Sequence, residues 1–238
     1  MLVKYLRAME DLPHAAEATA PPRPWWALVL SGLFHPLLVP TYMYVLLMVI
    51  NPFLFGSNDF GDQRAILTLL MLVLYTCVIP LISVVLMVLL NMVGSVMMED
   101  RMERIGPLLL VMVLYFWVYY NLSQSNDVPT IFSSFLLGVV MSLAMAFVIN
   151  VLDKVSLHTI GMGGLTGMVM ISMIFFGSQG VGLGSVTMSL GLLVIIVVIL
   201  AGLVGSARLA LGAHNNTQIY MGYVVGFFCQ WMALLFYF

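Results

Sequence analysis

Seven side chains that could hold or work on an anion are gathered in three short stretches. SARLALGAHNNTQ (206–218) sets Arg208 six positions before His214. DKVSLH (153–158) alternates Lys154, Ser156 and His158, so that one edge of a short loop offers ammonium, hydroxyl and imidazole together. EDRMERIGP (99–107) carries Arg101 and Arg104, one helical turn apart and on the same side. Guanidinium and ammonium groups beside imidazoles suit an oxyanion such as phosphate. Each stretch also has a plainer reading. Arg101 and Arg104 fit an ordinary charged loop with Glu99, Asp100 and Glu103 as partners, His158 fits an interfacial histidine, and Arg208 fits a snorkelling anchor at a span end. Anchoring gives no reason for His214, with Asn215, Asn216, Thr217 and Gln218 behind it.

The elements that must position these residues are membrane spans. The chain has 238 residues, 63% hydrophobic and 8% charged, whereas a soluble domain carries about 25% charged residues. Runs of about 20 apolar residues recur, the pattern of transmembrane helices. The expected fold is therefore all-α, a polytopic transmembrane bundle of about six or seven spans, at 25–50, 65–94, 107–122, 129–152, 159–177, 185–206 and 219–238. Residues 1–24 read as a polar, Pro-rich tail, flexible or interfacial rather than a cleaved signal, and 25–238 as one helical domain. Trp25 and Trp26 open the first span at an interface position, and Pro36 or Pro40 bends it. Pro80 interrupts the second span. His35 reads as a kink-associated or helix-contact residue. The glycines at 161, 163, 164 and 167, and Gly222 with Gly226, predict close helix packing; bare N–H groups where the fifth helix starts could also face an anion.

Seven spans put seven of the eight Lys and Arg on one face: Lys4, Arg7, Arg23, Arg101, Arg104, Lys154 and Arg208. Either the positive-inside rule or an anion site accounts for that asymmetry, and charge counting does not separate them. At a membrane edge, ionisable groups are costly unless paired, which makes them functional candidates. The net charge of −2 gives no reason to expect a nucleic-acid partner. Cys77 and Cys229 fall in apolar runs and read as packing residues, and the 20 methionines as adaptable filler. The spans lack carboxylates, which argues against ion-coupled transport.

Taken together, these clusters resemble the type-2 phosphatidic acid phosphatase superfamily, in a divergent bacterial branch. Its motifs are Lys-x6-Arg-Pro, then Pro-Ser-Gly-His, then Ser-Arg-x5-His-x3-Asp. Here Arg208 and His214 keep the third spacing, with Ser206 displaced by one and Gly222 and Gly226 following. VSLH (155–158) stands at the second motif, keeping Ser156 and His158. Arg104 stands at the first, with Pro107 two places late and no lysine at the matching distance. The resemblance spans roughly 95–226 in the correct order. It implies a lipid-linked phosphate as substrate, no metal or other cofactor, and a site in a bacterial inner membrane. His214 would be the nucleophile and His158 the proton donor, then the base. Arg208, Ser156, Arg104 and Lys154 or Arg101 would hold the phosphate oxygens. Where the superfamily has aspartate, this chain has Gln218. Its carbonyl can still accept the Nδ1–H of His214, and Asp153, Asp100, Glu99 or Glu103 could supply the missing charge. A catalytically impaired relative that binds or moves an anionic lipid is the alternative. The substrate's identity, the side of the membrane and the oligomeric state are left open.

Overall fold

A computed structural model of the chain describes residues 23–59, 61–95, 98, 100–125, 127–183 and 186–238. The polar tail up to residue 22, with Lys4 and Arg7, and the candidate acid Glu99 lie outside the described residues. The described residues form a helical bundle with one small hairpin. In chain order its helices are α1 (Trp25–Leu33), α2 (Val39–Ile50), α3 (Gln63–Val73), α4 (Ile79–Leu89), α5 (Ile105–Gln124), α6 (Thr130–Leu152), α7 (Leu157–Phe176), α8 (Leu190–Ala210) and α9 (Asn216–Leu234). Among the described residues, six stretches are long and apolar enough to cross a membrane: Trp25–Ile50, Gln63–Leu89, Met102–Gln124, Thr130–Leu152, Leu157–Phe176 and Leu190–Ala210.

The seventh expected span, α9, is not among the six. Its 19 residues reach about 28 Å at 1.5 Å per residue, but it opens on the polar run Asn216–Thr217–Gln218 and carries Gln230. Its buried face recurs at Gln218, Ile219, Gly222, Gly226, Cys229, Gln230 and Ala233, a helical period turned toward protein rather than lipid. The neighbours there are α7 and α6. Glycine makes the contact with α7 possible. A Cβ on Gly226 would be driven into the Ile160 carbonyl, and one on Gly222 into Thr159 Oγ1. From the other side, a Cβ on Gly163 would lie 2.5 Å from the Tyr223 carbonyl oxygen.

Two prolines shape the remaining spans. The first span breaks between α1 and α2, where His35 caps a short 3-10 turn, Pro36–Leu38, by accepting the Leu37 N–H at 3.4 Å. In the second, α3 and α4 form one continuous rod joined by a π turn, Leu74–Val78. Pro80 has no N–H for the carbonyl four residues back, that of Thr76. Tyr115 on α5 supplies the missing donor, its hydroxyl reaching the Thr76 oxygen at 2.9 Å. The sixth span starts later than the predicted residue 185. Gly180–Leu183 and Val186–Ser189 pair as an antiparallel hairpin, and Ser189 Oγ caps α8 by accepting the Leu192 N–H at 3.3 Å. The third span starts earlier, because a 3-10 turn over Met102–Arg104 runs straight into α5. Cys77 and Cys229 are free.

Candidate functional site

The Arg208-x5-His214 spacing is made by two helix ends. Helix α8 stops at Gly212, whose φ of +63° is left-handed backbone that glycine adopts without strain. The Ala213 N–H then returns to the Arg208 carbonyl at 3.2 Å, and the Gly212 N–H to that of Leu209 at 2.9 Å. These two bonds make a Schellman turn. Two residues later α9 opens on a capping box: Asn215 Oδ1 accepts the Gln218 N–H at 2.9 Å, and Gln218 Oε1 accepts the Asn215 N–H at 3.4 Å. His214 is therefore clamped between a helix stop and a helix start, and it is buried.

Gln218 does more than cap. Its Oε1 also accepts the Nδ1–H of His214 at 3.1 Å, and its Nε2 donates to Asp153 Oδ1 at 3.0 Å. The amide orientation is decided by these partners. The Asn215 N–H can only donate and an ionised Asp153 can only accept, so Oε1 must face His214. The proton of neutral His214 then sits on Nδ1, and its Nε2 carries a free lone pair.

The segment 153–158 reaches the same place. Asp153 ends α6, and its Oδ1 accepts the Lys154 N–H at 2.6 Å. Val155 is anchored in a small apolar cluster with Ala146 and Ile160, which turns Ser156 inward. Ser156 occupies the N-cap position of α7 without capping it. Its Oγ is fully buried and has no hydrogen-bond partner among the described residues, and the first N–H groups of α7 have no helical partner. One residue into α7, His158 Nε2–H donates to the Ser31 carbonyl at 3.1 Å.

Ser31 is the hub that the sequence did not reveal. Its carbonyl holds His158, and its Oγ accepts from Arg208 Nη1 at 3.2 Å. A lone serine in an apolar run carries no signal for that role. His35 stands beside it, its ring edge-on to His158 with centroids 5.3 Å apart. Thus His35 serves both readings offered for it, capping the kink and touching another helix. Arg208 Nε, like Ser156 Oγ, is buried with no partner among the described residues. Each such atom costs about 1–3 kcal/mol when left unsatisfied, and the amide of Gln230, away from these cations, is orphaned in the same way.

Arg104, Arg208 and Lys154 all act on His214 through their charge, so the structure brings them together. Arg104 is held by backbone carbonyls, its Nε on Met98 at 3.0 Å and its Nη1 on Val155 at 3.4 Å. Neither Arg104 nor Arg208 meets a carboxylate among the described residues. Arg101 stands apart. It is exposed, and its guanidinium caps the last turn of α6 on the carbonyls of Val151 and Leu152, where a cation complements the helix dipole. Asp100 and Glu103 also bond elsewhere, on the backbone N–H groups of Met102 and Gly94.

Burial, followed by the charges of Arg104, Arg208 and Lys154, pushes the His214 pKa down to about 4, although its bond to Gln218 works the other way. The ring is neutral at pH 7 and able to act as a nucleophile. The sign for stability follows. The depressed pKa means that His214 contributes fully above about 6.5, the unfolded value, and loses that contribution as pH falls through about 4. With four histidines in the chain, a ring-resonance titration is readable, and the His214 midpoint is expected near 4. A midpoint at 6.5 would show an unburied ring.

No family model, curated protein or solved structure matches this chain. What it does is therefore argued from its site.

Proposed function

We propose that the chain is an integral-membrane phosphatase that hydrolyses a lipid phosphate or an isoprenyl (pyro)phosphate through a phosphohistidine. The observation that carries this reading is the state of His214. Its Nδ1–H is committed to Gln218, which leaves Nε2 free to attack beneath the positive field of Arg104, Arg208 and Lys154. Ser156 Oγ and Arg208 Nε, buried and unpartnered among the described residues, are groups that a phosphate would satisfy. The N–H groups opening α7 add an N-terminal anion cradle.

The reaction runs in two displacements. His214 Nε2 forms a bond to phosphorus as the bond from phosphorus to the leaving oxygen breaks. His158, its Nε2–H held on the Ser31 carbonyl, relays a proton from solvent through its open Nδ1 to that oxygen. The same Nδ1 then takes a proton from water as the water oxygen attacks phosphorus. The phosphorus–nitrogen bond breaks, inorganic phosphate leaves, and His158 returns the proton to solvent, which restores both histidines. The cations balance charge on the non-bridging oxygens throughout. The setting we assign is the inner membrane of a bacterium, as in the branch that the motifs resemble.

The test is phosphate release by purified protein in detergent, with a chelator present, from phosphatidate, lysophosphatidate and prenyl mono- and diphosphates. Turnover on at least one of them is expected; none on any would refute the proposal. One observation favours a second reading, an anionic-lipid binder without turnover: the residue bonded to His214 is an amide and not an acid. Lipid binding that depends on Arg208, with no phosphate released, would decide for it.

A further inference from the structure

We infer that Asp153 is a positioning residue of this site, acting on His214 through the side-chain amide of Gln218. The kinetic consequence rests on the phosphatase reading, but the geometric one does not. Three bonds run in series: His214 Nδ1–H to Gln218 Oε1 at 3.1 Å, Gln218 Nε2–H to Asp153 Oδ1 at 3.0 Å, and the Lys154 N–H to the same Oδ1 at 2.6 Å. The last bond fixes the carboxylate against its own backbone, so the chain of bonds starts from a rigid point.

The reason such a link is needed lies in the symmetry of an amide. A glutamine can turn over about its last torsion at little steric cost, exchanging oxygen for nitrogen. In the reversed pose its NH2 would face His214 Nδ1. That atom would then have to accept, and the proton would move to Nε2 and occupy the attacking lone pair. The Asn215 N–H resists the reversal only through a 3.4 Å bond. Asp153 resists it more strongly, because a carboxylate accepts and never donates, and a charged acceptor makes about twice as strong a bond. A carboxylate in direct contact with histidine fixes the ring in one step. Here the same work is divided, with Gln218 setting the tautomer and Asp153 setting Gln218. Helix α6 supplies the acid and α9 the amide, which ties the geometry of His214 to the packing between them.

The test uses the full chain in detergent, labelled with 15N-histidine. In the unaltered protein His214 is expected as the Nδ1–H tautomer at pH 7. Asp153→Leu is expected to give a mixture of the two tautomers, with kcat reduced tenfold to a hundredfold and KM held within about twofold, as with groups that orient liganding histidines. Asp153→Glu, which can still only accept, is expected to restore most of both. Asp153 is exposed at a helix end, and a thermal melt of each variant separates loss of fold from loss of orientation. An unchanged tautomer in Asp153→Leu would overturn the inference, whatever the turnover. A changed tautomer in a protein that hydrolyses nothing would leave the positioning role standing and remove the phosphatase reading instead.

Discussion

His214→Ala is expected to stop phosphate release, lowering kcat by a factor on the order of 10^4 to 10^6, as loss of a covalent nucleophile does elsewhere. Substrate binding should survive, because Arg104 and Arg208 do not depend on the imidazole for their placement. Arg104 is held on the carbonyls of Met98 and Val155, and Arg208 on Ser31. The change also removes the donor that Gln218 Oε1 accepts, so some stability is lost with the ring. His214→Asn keeps a polar group at that point and should be equally inactive. A rapid quench with 32P-labelled substrate should trap an alkali-stable, acid-labile adduct on the unaltered protein and none on either variant. Turnover by His214→Ala at even a hundredth of the unaltered rate would show that another group attacks phosphorus.

Arg208→Lys ranks next, with an expected loss of about 10^2 to 10^3 in kcat/KM, the usual cost of removing a donor aimed at developing charge. The guanidinium does two things at once. One arm rests on Ser31 Oγ at 3.2 Å, while Nε is buried with no partner among the described residues. A planar fork can keep the first contact and offer the second edge to a phosphate. A lysine ammonium is a single point at the end of a flexible stem, and must choose. Arg208→Ala should lose more, and should weaken binding of the lipid phosphate itself. Ser31→Ala, which removes only the resting contact, should cost about tenfold or less. Full activity in Arg208→Lys would mean that the arginine is a membrane anchor and that the phosphate is held elsewhere.

Much of this arrangement was legible along the chain. Apolar runs marked the spans, because lipid leaves a backbone no partner but itself. Pro36 marked the place where the first span breaks and Pro80 the place where the second needs an outside donor, since a missing N–H must be made good wherever it falls. Gly222 and Gly226 marked the close contact of α9 with α7, because only hydrogen fits where a carbonyl presses. The Asn-x-x-Gln of the capping box at Asn215–Gln218 and the helix-stopping Gly212 were also there to be read. They would have shown that His214 lies between two helix ends, although they say nothing of what the ring faces. Apolar length alone does not separate a lipid-facing helix from α9, whose Gln230 and two glycines face protein, nor does it show the strand Val186–Ser189 ahead of α8.

The sequence by itself determined the class of molecule, the number of apolar crossings to within one, and which few side chains are ionisable at the membrane edge. Those properties are local: composition, period and capping chemistry depend on residues within a turn or two. The tertiary structure decided which of them meet. It placed Ser31 under both His158 and Arg208, 127 and 177 residues away, turned Arg101 to the end of α6, and set Asp153 behind Gln218 across 65 residues. Such contacts follow from helix packing and side-chain direction. No spacing along the chain encodes them, which is why the partner of Gln218 became visible only once α6 and α9 lay side by side.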